Sequence, residues 1–198
     1  FAGFIRVIRL LNDPFVCLKF GQSATFSLCL CPLMPLHRPG ALHCAPYLCV
    51  RGQGMSWDLA APFIIDLQVQ AEDIDGFGHA NNAAYVVWLE RCAWRHSQRL
   101  GLDLTEYRRL DRAMAVSRHE IDYLASAYED DELQLATWIV DCDQRLRMTR
   151  HFQLVRPGDG VTLLRAQTTF VCIELSTGKP KRLPPEFLEG YCPAVVTV

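Results

Sequence analysis

The chain carries 198 residues, half of them hydrophobic and 21% charged, with a formal net charge of -2. This is globular composition, at a length that suits one ordinary domain, or one domain with an extension, and allows a real core. Residues 1–54 hold five basic residues and one acid, whereas residues 55–198 hold 15 basic and 21 acidic ones, which speaks against a phosphate-backbone binder in the second part.

Residues 1–54 sustain neither helical nor strand periodicity. The apolar run Ala24–Leu36 is broken by Pro32 and Pro35 and is too short to span a bilayer. Its basic flank is thin for a signal peptide, and Cys29, Cys31, His37, His43 and Cys44 match no standard zinc spacing. The chain opens on Phe1, and this stretch is expected to be a non-native or disordered extension, with the natural start at Met55 and one domain over 55–198. Cys92, Cys142, Cys172 and Cys192 sit in apolar runs with no ligand spacing. There a thiol acts as a small hydrophobe, and a reducing, cytoplasmic compartment is expected.

From Met55 the pattern becomes regular. Pro62–Ala71 alternates as a strand does, Asp73–Gly78 reads as a loop, and Asn81–Leu100 as a long helix ended by Gly101. Ala83 to Leu89 are apolar nearly all round, which predicts a buried helix. A short helix is expected over Leu104–Leu110. Four strands follow: Ala113–Leu124, Glu132–Asp143, Leu146–Val155 and Val161–Leu175, the last two joined by a Gly158-Asp159-Gly160 turn. Without intervening helices they predict an antiparallel meander, and the whole an α+β fold with a sheet wrapped around a helix.

The segment Asp73 to Glu90 concentrates the chemistry. Asp73, Asp75, His79, Asn81 and Asn82 fall within ten residues, where the loop becomes the helix. A helix N-terminus presents unpaired N–H groups and a partial positive charge, an oxyanion site in waiting. A carboxylate beside it could attack a thioester or activate water. Any one of these residues could equally be an ordinary cap, but a helix needs only one.

The pattern D-x-D-x-x-G-H-x-N-N-x-x-Y-x-x-W-x-E from Asp73 to Glu90 resembles the hot-dog thioesterases of the 4-hydroxybenzoyl-CoA thioesterase type. It also resembles the D-x-D…H-x-N-N-x-x-Y run of plant acyl-ACP thioesterases. Glu120-Ile-Asp-Tyr-Leu, the acidic turn ending Asp130-Asp131-Glu132-Leu133, and Thr177 to Pro184 resemble the family in the same order. The resemblance implies five or six antiparallel strands around the central helix, a homodimer or dimer of dimers, and active sites at the dimer interface. It implies Asp75 as nucleophile or general base and the N–H near Asn82 as the donor that polarises the thioester. His79 would assist in the plant-type pattern, but the Asn expected two residues before it is Phe77. Another branch of the fold uses a helical Glu near the position of Glu90, which could instead be structural.

The expected activity is therefore hydrolysis of acyl-CoA to free acid and CoA, with no metal or other cofactor, and no nucleic-acid or membrane partner. Phe77, Asn81, Tyr85 and Trp88 are the candidate substrate contacts; the aromatic ones are equally placed for core packing. His119 reads as a core or interface residue, His96 as a late-helix residue favourable to the dipole, and His151 as a sheet-surface one. Arg145, Arg147 and Arg150, with Lys179, Lys181 and Arg182, could touch CoA phosphates or form a solvated face. A non-catalytic acyl-CoA sensor on the same fold, or a thioesterase acting on acyl carrier protein, are the alternatives. A hydratase would need other His and acid placements.

Overall fold

The computed structural model describes residues 56–197, so the expectations for residues 1–54 and for the start at Met55 lie outside the described residues. The elements are β1 (Phe63–Gln68), α1 (Asn82–Arg99), α2 (Leu104–Leu110), β2 (Arg112–Tyr123), β3 (Glu132–Cys142), β4 (Arg147–Arg156), β5 (Val161–Glu174) and α3 (Pro185–Tyr191). The five strands form one antiparallel sheet in the order β1-β3-β4-β5-β2.

Helix α1 is the centre of the core. Asn81 caps it with its side chain, and the chain leaves through Leu100 and Gly101, whose φ of +81° is one that glycine adopts without a Cβ penalty. Its buried face is Ala84, Tyr85, Trp88, Leu89, Cys92, Ala93 and Ser97. Leu133, Leu135 and Ile139 of β3 and Met148, Phe152 and Leu154 of β4 belong to the same apolar cluster. The helix is not buried on every side: Ala83 and Val87 are exposed. A sheet wrapped around one long helix is the hot-dog arrangement that the resemblance implies.

The strands are not one meander. Only β3, β4 and β5 run as successive hairpins, while β2 pairs with β5 at the far edge. The reason lies in the segment between β2 and β3, which is too long for a tight turn and is bonded elsewhere. Leu124 and Ala125 donate to Leu163 O, at 2.8 and 3.1 Å, and Asp130 N donates to Val69 O at 3.1 Å. The segment thus crosses the sheet end, past the start of α1, and delivers β3 beside β1.

Three bulges also shift faces. They lie between Val116 and Arg118 of β2, between Ile139 and Asp141 of β3, and at Leu163 of β5, opposite Leu154 and Val155 of β4. Simple alternation would put Ala115 and His119 on one face, but the extra residue changes the phase, and Met114, Val116 and His119 look into one cavity. The C-terminal helix α3, with Pro185 at its first turn, spans only seven residues, too few for the sequence to show a helical period. It buries Phe187 and Tyr191 completely.

Residues 56–60 cover the outer face of the sheet. Trp138 Nε1 donates to Ala60 O at 2.9 Å, and Arg165 holds Asp58 through two hydrogen bonds of 2.6 and 2.9 Å. That guanidinium lowers the Asp58 carboxyl pKa.

Core position can be tested within one strand. Leu163 is 0% exposed and Val161 is 37% exposed. Leu163→Ala is expected to lower the unfolding free energy by about 2–5 kcal/mol, and Val161→Ala by less than about 1 kcal/mol, in urea titrations of each variant.

Candidate active site

The loop that delivers the chain into α1 is fixed at both ends. Asn81 N donates to Asp73 O at 2.8 Å, and Ile74 and Ala80 form an antiparallel bridge. Asp75 N then donates to His79 O, and Gly78 N to Asp75 O, both at 3.0 Å. Gly78 closes this turn at φ +83°, in the left-handed region that L side chains rarely adopt. The Asp75 carboxylate is oriented from within: its Oδ1 accepts from Phe77 N at 2.8 Å. His79 Nδ1 lies 3.7 Å from Asp75 Oδ2, an electrostatic contact longer than a hydrogen bond. Phe77, in place of an amide, stacks on His79 and is 89% exposed.

The first turn of α1 offers one open donor. Ala83 N is capped by Asn81 Oδ1 and Ala84 N by Asn81 O, each at 2.9 Å. Among the described residues, Asn82 N has no acceptor. Asn81 thus acts as the cap, while Asn82 keeps the N–H that could meet an oxyanion.

Further along, a cavity of about 190 Å³ opens between α1 and the sheet. Glu90, Val116 and His119 lie among its lining residues, with Leu89, Met148 and Phe170 giving it apolar walls. Ser97, Arg150 and Tyr191 also line it. Asp75 does not. Glu90 is eight residues past Asn82, about 12 Å down the helix axis. Tyr85 and Trp88 are buried in the core, with ring centroids 4.9 Å apart, and the Tyr85 hydroxyl accepts from Ala127 N at 3.0 Å. The structure therefore brings Asp75, Phe77, His79, Asn81 and Asn82 together in one loop and helix start, and places Glu90 at a separate cavity.

Two readings are corrected. His96 is not a cation serving the helix dipole. It is half-buried, stacked on Phe63 with centroids 4.8 Å apart, and its Nδ1 accepts from Arg150 Nη1 at 2.7 Å. Burial, then the neighbouring guanidinium, pushes its pKa down to about 4. Arg150 is not part of a solvated basic face: it is 1% exposed. Alternation along β4 carries the signal, since Met148, Arg150, Phe152 and Leu154 share the buried phase. His119 is held by Thr168 Oγ1 at 2.9 Å, and burial lowers its pKa.

The His96 shift sets a pH dependence. A histidine whose folded pKa is depressed binds fewer protons in the folded state than in the unfolded one between the two values, so its contribution rises with pH there. The unfolding free energy is expected to rise from about pH 4 to about 6.5 and level off above. Subtracting the pH profile of His96→Gln isolates this contribution in urea titrations. A flat difference from pH 4 to pH 7 would contradict the assignment.

A family model described as the thioesterase-like superfamily matches residues 69–190. In backbone, the chain is similar to a 1,4-dihydroxy-2-naphthoyl-CoA thioesterase from Synechocystis, at 24% identity and a TM-score of 0.60, over 67% of this chain and 96% of that one. It is similar to a DHNA-CoA thioesterase from Staphylococcus aureus, at 21% identity and 0.62, over 67% and 89%. A further S. aureus protein, solved in complex with CoA, matches at 20% identity and 0.63, over 72% and 91%. These likenesses share the α+β hot-dog fold. No protein of curated function matches the sequence.

Proposed function

The chain belongs to the thioesterase-like superfamily, and on that premise we propose that it hydrolyses acyl-CoA to free acid and CoA, with Asp75 as the reacting carboxylate. The observation that carries this reading is the pairing of an internally oriented carboxylate with an open helix-terminal donor. Phe77 N holds Asp75, and Asn81 satisfies the next two amides while leaving Asn82 N free among the described residues. A thioester carbonyl at that N–H would be polarised along the helix dipole. Asp75 would attack it directly, or would take a proton from the attacking water. The thiolate of CoA then leaves; after direct attack, water hydrolyses the resulting anhydride with Asp75, which frees the acid and restores the carboxylate, and His79 beside Asp75 steadies it.

CoA as the carrier is supported by Arg145 and Arg182, which line one surface cleft with Asp143 and with Lys181, itself paired with Glu174, and which could meet phosphate groups. The four free thiols among the described residues support a reducing compartment. No described helix is long and apolar enough to cross a membrane.

We also propose a homodimer in which the site is shared. None of the four described cavities counts a residue of the Asp75 loop in its lining, and Glu90, at the mouth of the one beside α1, stands about 12 Å along the helix from Asn82. Strand β2 is a long sheet edge with exposed Val116 and Tyr123. Such an edge, left open, invites pairing with a second copy. The Asp75 loop of one copy would then face the cavity mouth of the other, with Glu90 as the second carboxylate of the composite site.

Thiol release from a panel of acyl-CoAs tests the chemistry. Asp75→Asn is expected to lower kcat by about 10²- to 10⁴-fold, and Glu90→Gln by less. An unchanged rate in Asp75→Asn, with Glu90→Gln inactive, would move the chemistry to Glu90. Sharing is tested by mixing. Asp75→Asn and a mouth-blocking Val116→Trp, each inactive alone, are expected to regain activity when their subunits are exchanged. A mixture that forms mixed dimers and stays inactive would contradict a shared site.

A further inference from the structure

Arg150 is a guanidinium in the core with no carboxylate against it among the described residues. Nη1 donates to His96 Nδ1 at 2.7 Å and Nη2 to Ser97 Oγ at 3.2 Å, and the cation sits 5.8 Å from the Tyr191 ring centre. A guanidinium has five N–H donors, and these partners take up two. It stays protonated even though burial lowers its pKa.

The surrounding groups add donors, not negative charge. The Tyr107 and Tyr191 hydroxyls are 2.6 Å apart, and Tyr191 donates to Ser97 Oγ at 2.9 Å. Burial raises both phenol pKa values and pushes the Cys92 thiol up to about 12, so all three stay neutral. His96 is neutral as well, since its Nδ1 must accept from an arginine. The cluster therefore carries a net positive charge and a surplus of hydrogen-bond donors. An isolated buried charge is costly, and folds retain one where an anion completes it.

This cluster belongs to the lining of the same cavity as Glu90. Ser97 lies seven residues past Glu90, about 10 Å along α1. Between them the walls are apolar: Leu89, Ala93, Met148 and Phe170. The volume of about 190 Å³ is below the usual 300–1,000 Å³ of drug-sized sites, so a short chain fits and a long one does not.

We propose that this cavity takes a short acyl chain whose far end is a carboxylate, bound by the remaining N–H groups of Arg150 with the hydroxyl of Ser97, whose proton is not among those already donated. The substrate class is then the dicarboxylic monothioester. The planar fork of a guanidinium fits a planar carboxylate better than it fits a hydroxyl or a methyl group. The proposal rests on the thioesterase reading and names the acyl group that the reading leaves open.

Two measurements test it separately from catalysis. The first compares kcat/KM for glutaryl-CoA and adipyl-CoA with that for valeryl-CoA and hexanoyl-CoA, in the wild type and in Arg150→Met. The wild type is expected to prefer the carboxylate-ended chains, and Arg150→Met to lower that ratio by on the order of 10- to 100-fold. A wild-type preference for the methyl-ended chains overturns the proposal. The second uses calorimetry of free glutarate and adipate against valerate and hexanoate. It needs no turnover, so it still decides if no acyl-CoA is hydrolysed, in which case the thioesterase reading fails alone. Selective binding of the diacids by the wild type supports the proposal, and equal or absent binding overturns it. Ser97→Ala, which removes one hydroxyl only, is expected to weaken diacid binding if Arg150→Met does not fold.

Discussion

The backbone of one residue fixes the geometry on which the candidate site depends. Ala127, fully buried in the segment that crosses from β2 to β3, accepts from Ala80 N at 2.8 Å. The same residue donates its own N–H to the Tyr85 hydroxyl at 3.0 Å. Ala80 is the last buried residue before α1, and Tyr85 stands in its first turn. The start of the helix is thereby held from both sides by the segment that also sets the strand order. A buried polar group left without a partner is expensive, so the crossing, the Asp75 loop and the helix start form one unit. The cap by Asn81 is a local consequence, and it leaves the Asn82 donor open.

The other end of α1 is built on the opposite principle. There the charge is a buried cation, contacted by a neutral imidazole, a serine hydroxyl and an aromatic face that use only part of its donor capacity. The cavity between the ends is apolar. The helix thus carries a partial positive charge and an open donor at its N-terminus, and the β4 guanidinium Arg150 lies against its last turns. A thioester whose acyl chain ends in a carboxylate is complementary to such an arrangement, provided that two copies bring one helix start to the other's cavity.

Much of this was legible in the sequence. The helix over residues 82–99 and the short one over Leu104–Leu110 follow from periodicity, cap and Gly101. The strand segments follow from alternation and turn residues. The order of the strands did not, because pairing depends on the long-range bonds of Leu124, Ala125 and Asp130, which no local pattern encodes. The bulge near Ser117 reversed the facing of β2 for the same reason. The density of polar groups from Asp73 to Asn82 pointed to a site because caps alone do not need so many. Arg150 is legible in principle, as a basic residue on the apolar phase of β4 between Met148 and Phe152, but the run of basic residues at 145, 147 and 150 reads as a solvated face. Tyr191 depended on α3, a seven-residue helix too short to give a periodic signal.

The central claim is that the N-terminus of α1 polarises a thioester carbonyl beside Asp75. The most direct measurement is the ¹³C resonance of an acyl-CoA labelled at that carbonyl and bound to Asp75→Asn, a variant expected to hold substrate with little turnover. Hydrogen bonding to Asn82 N is expected to move the resonance downfield of its position in water. A saturated complex whose carbonyl resonance matches that of free acyl-CoA would contradict the account.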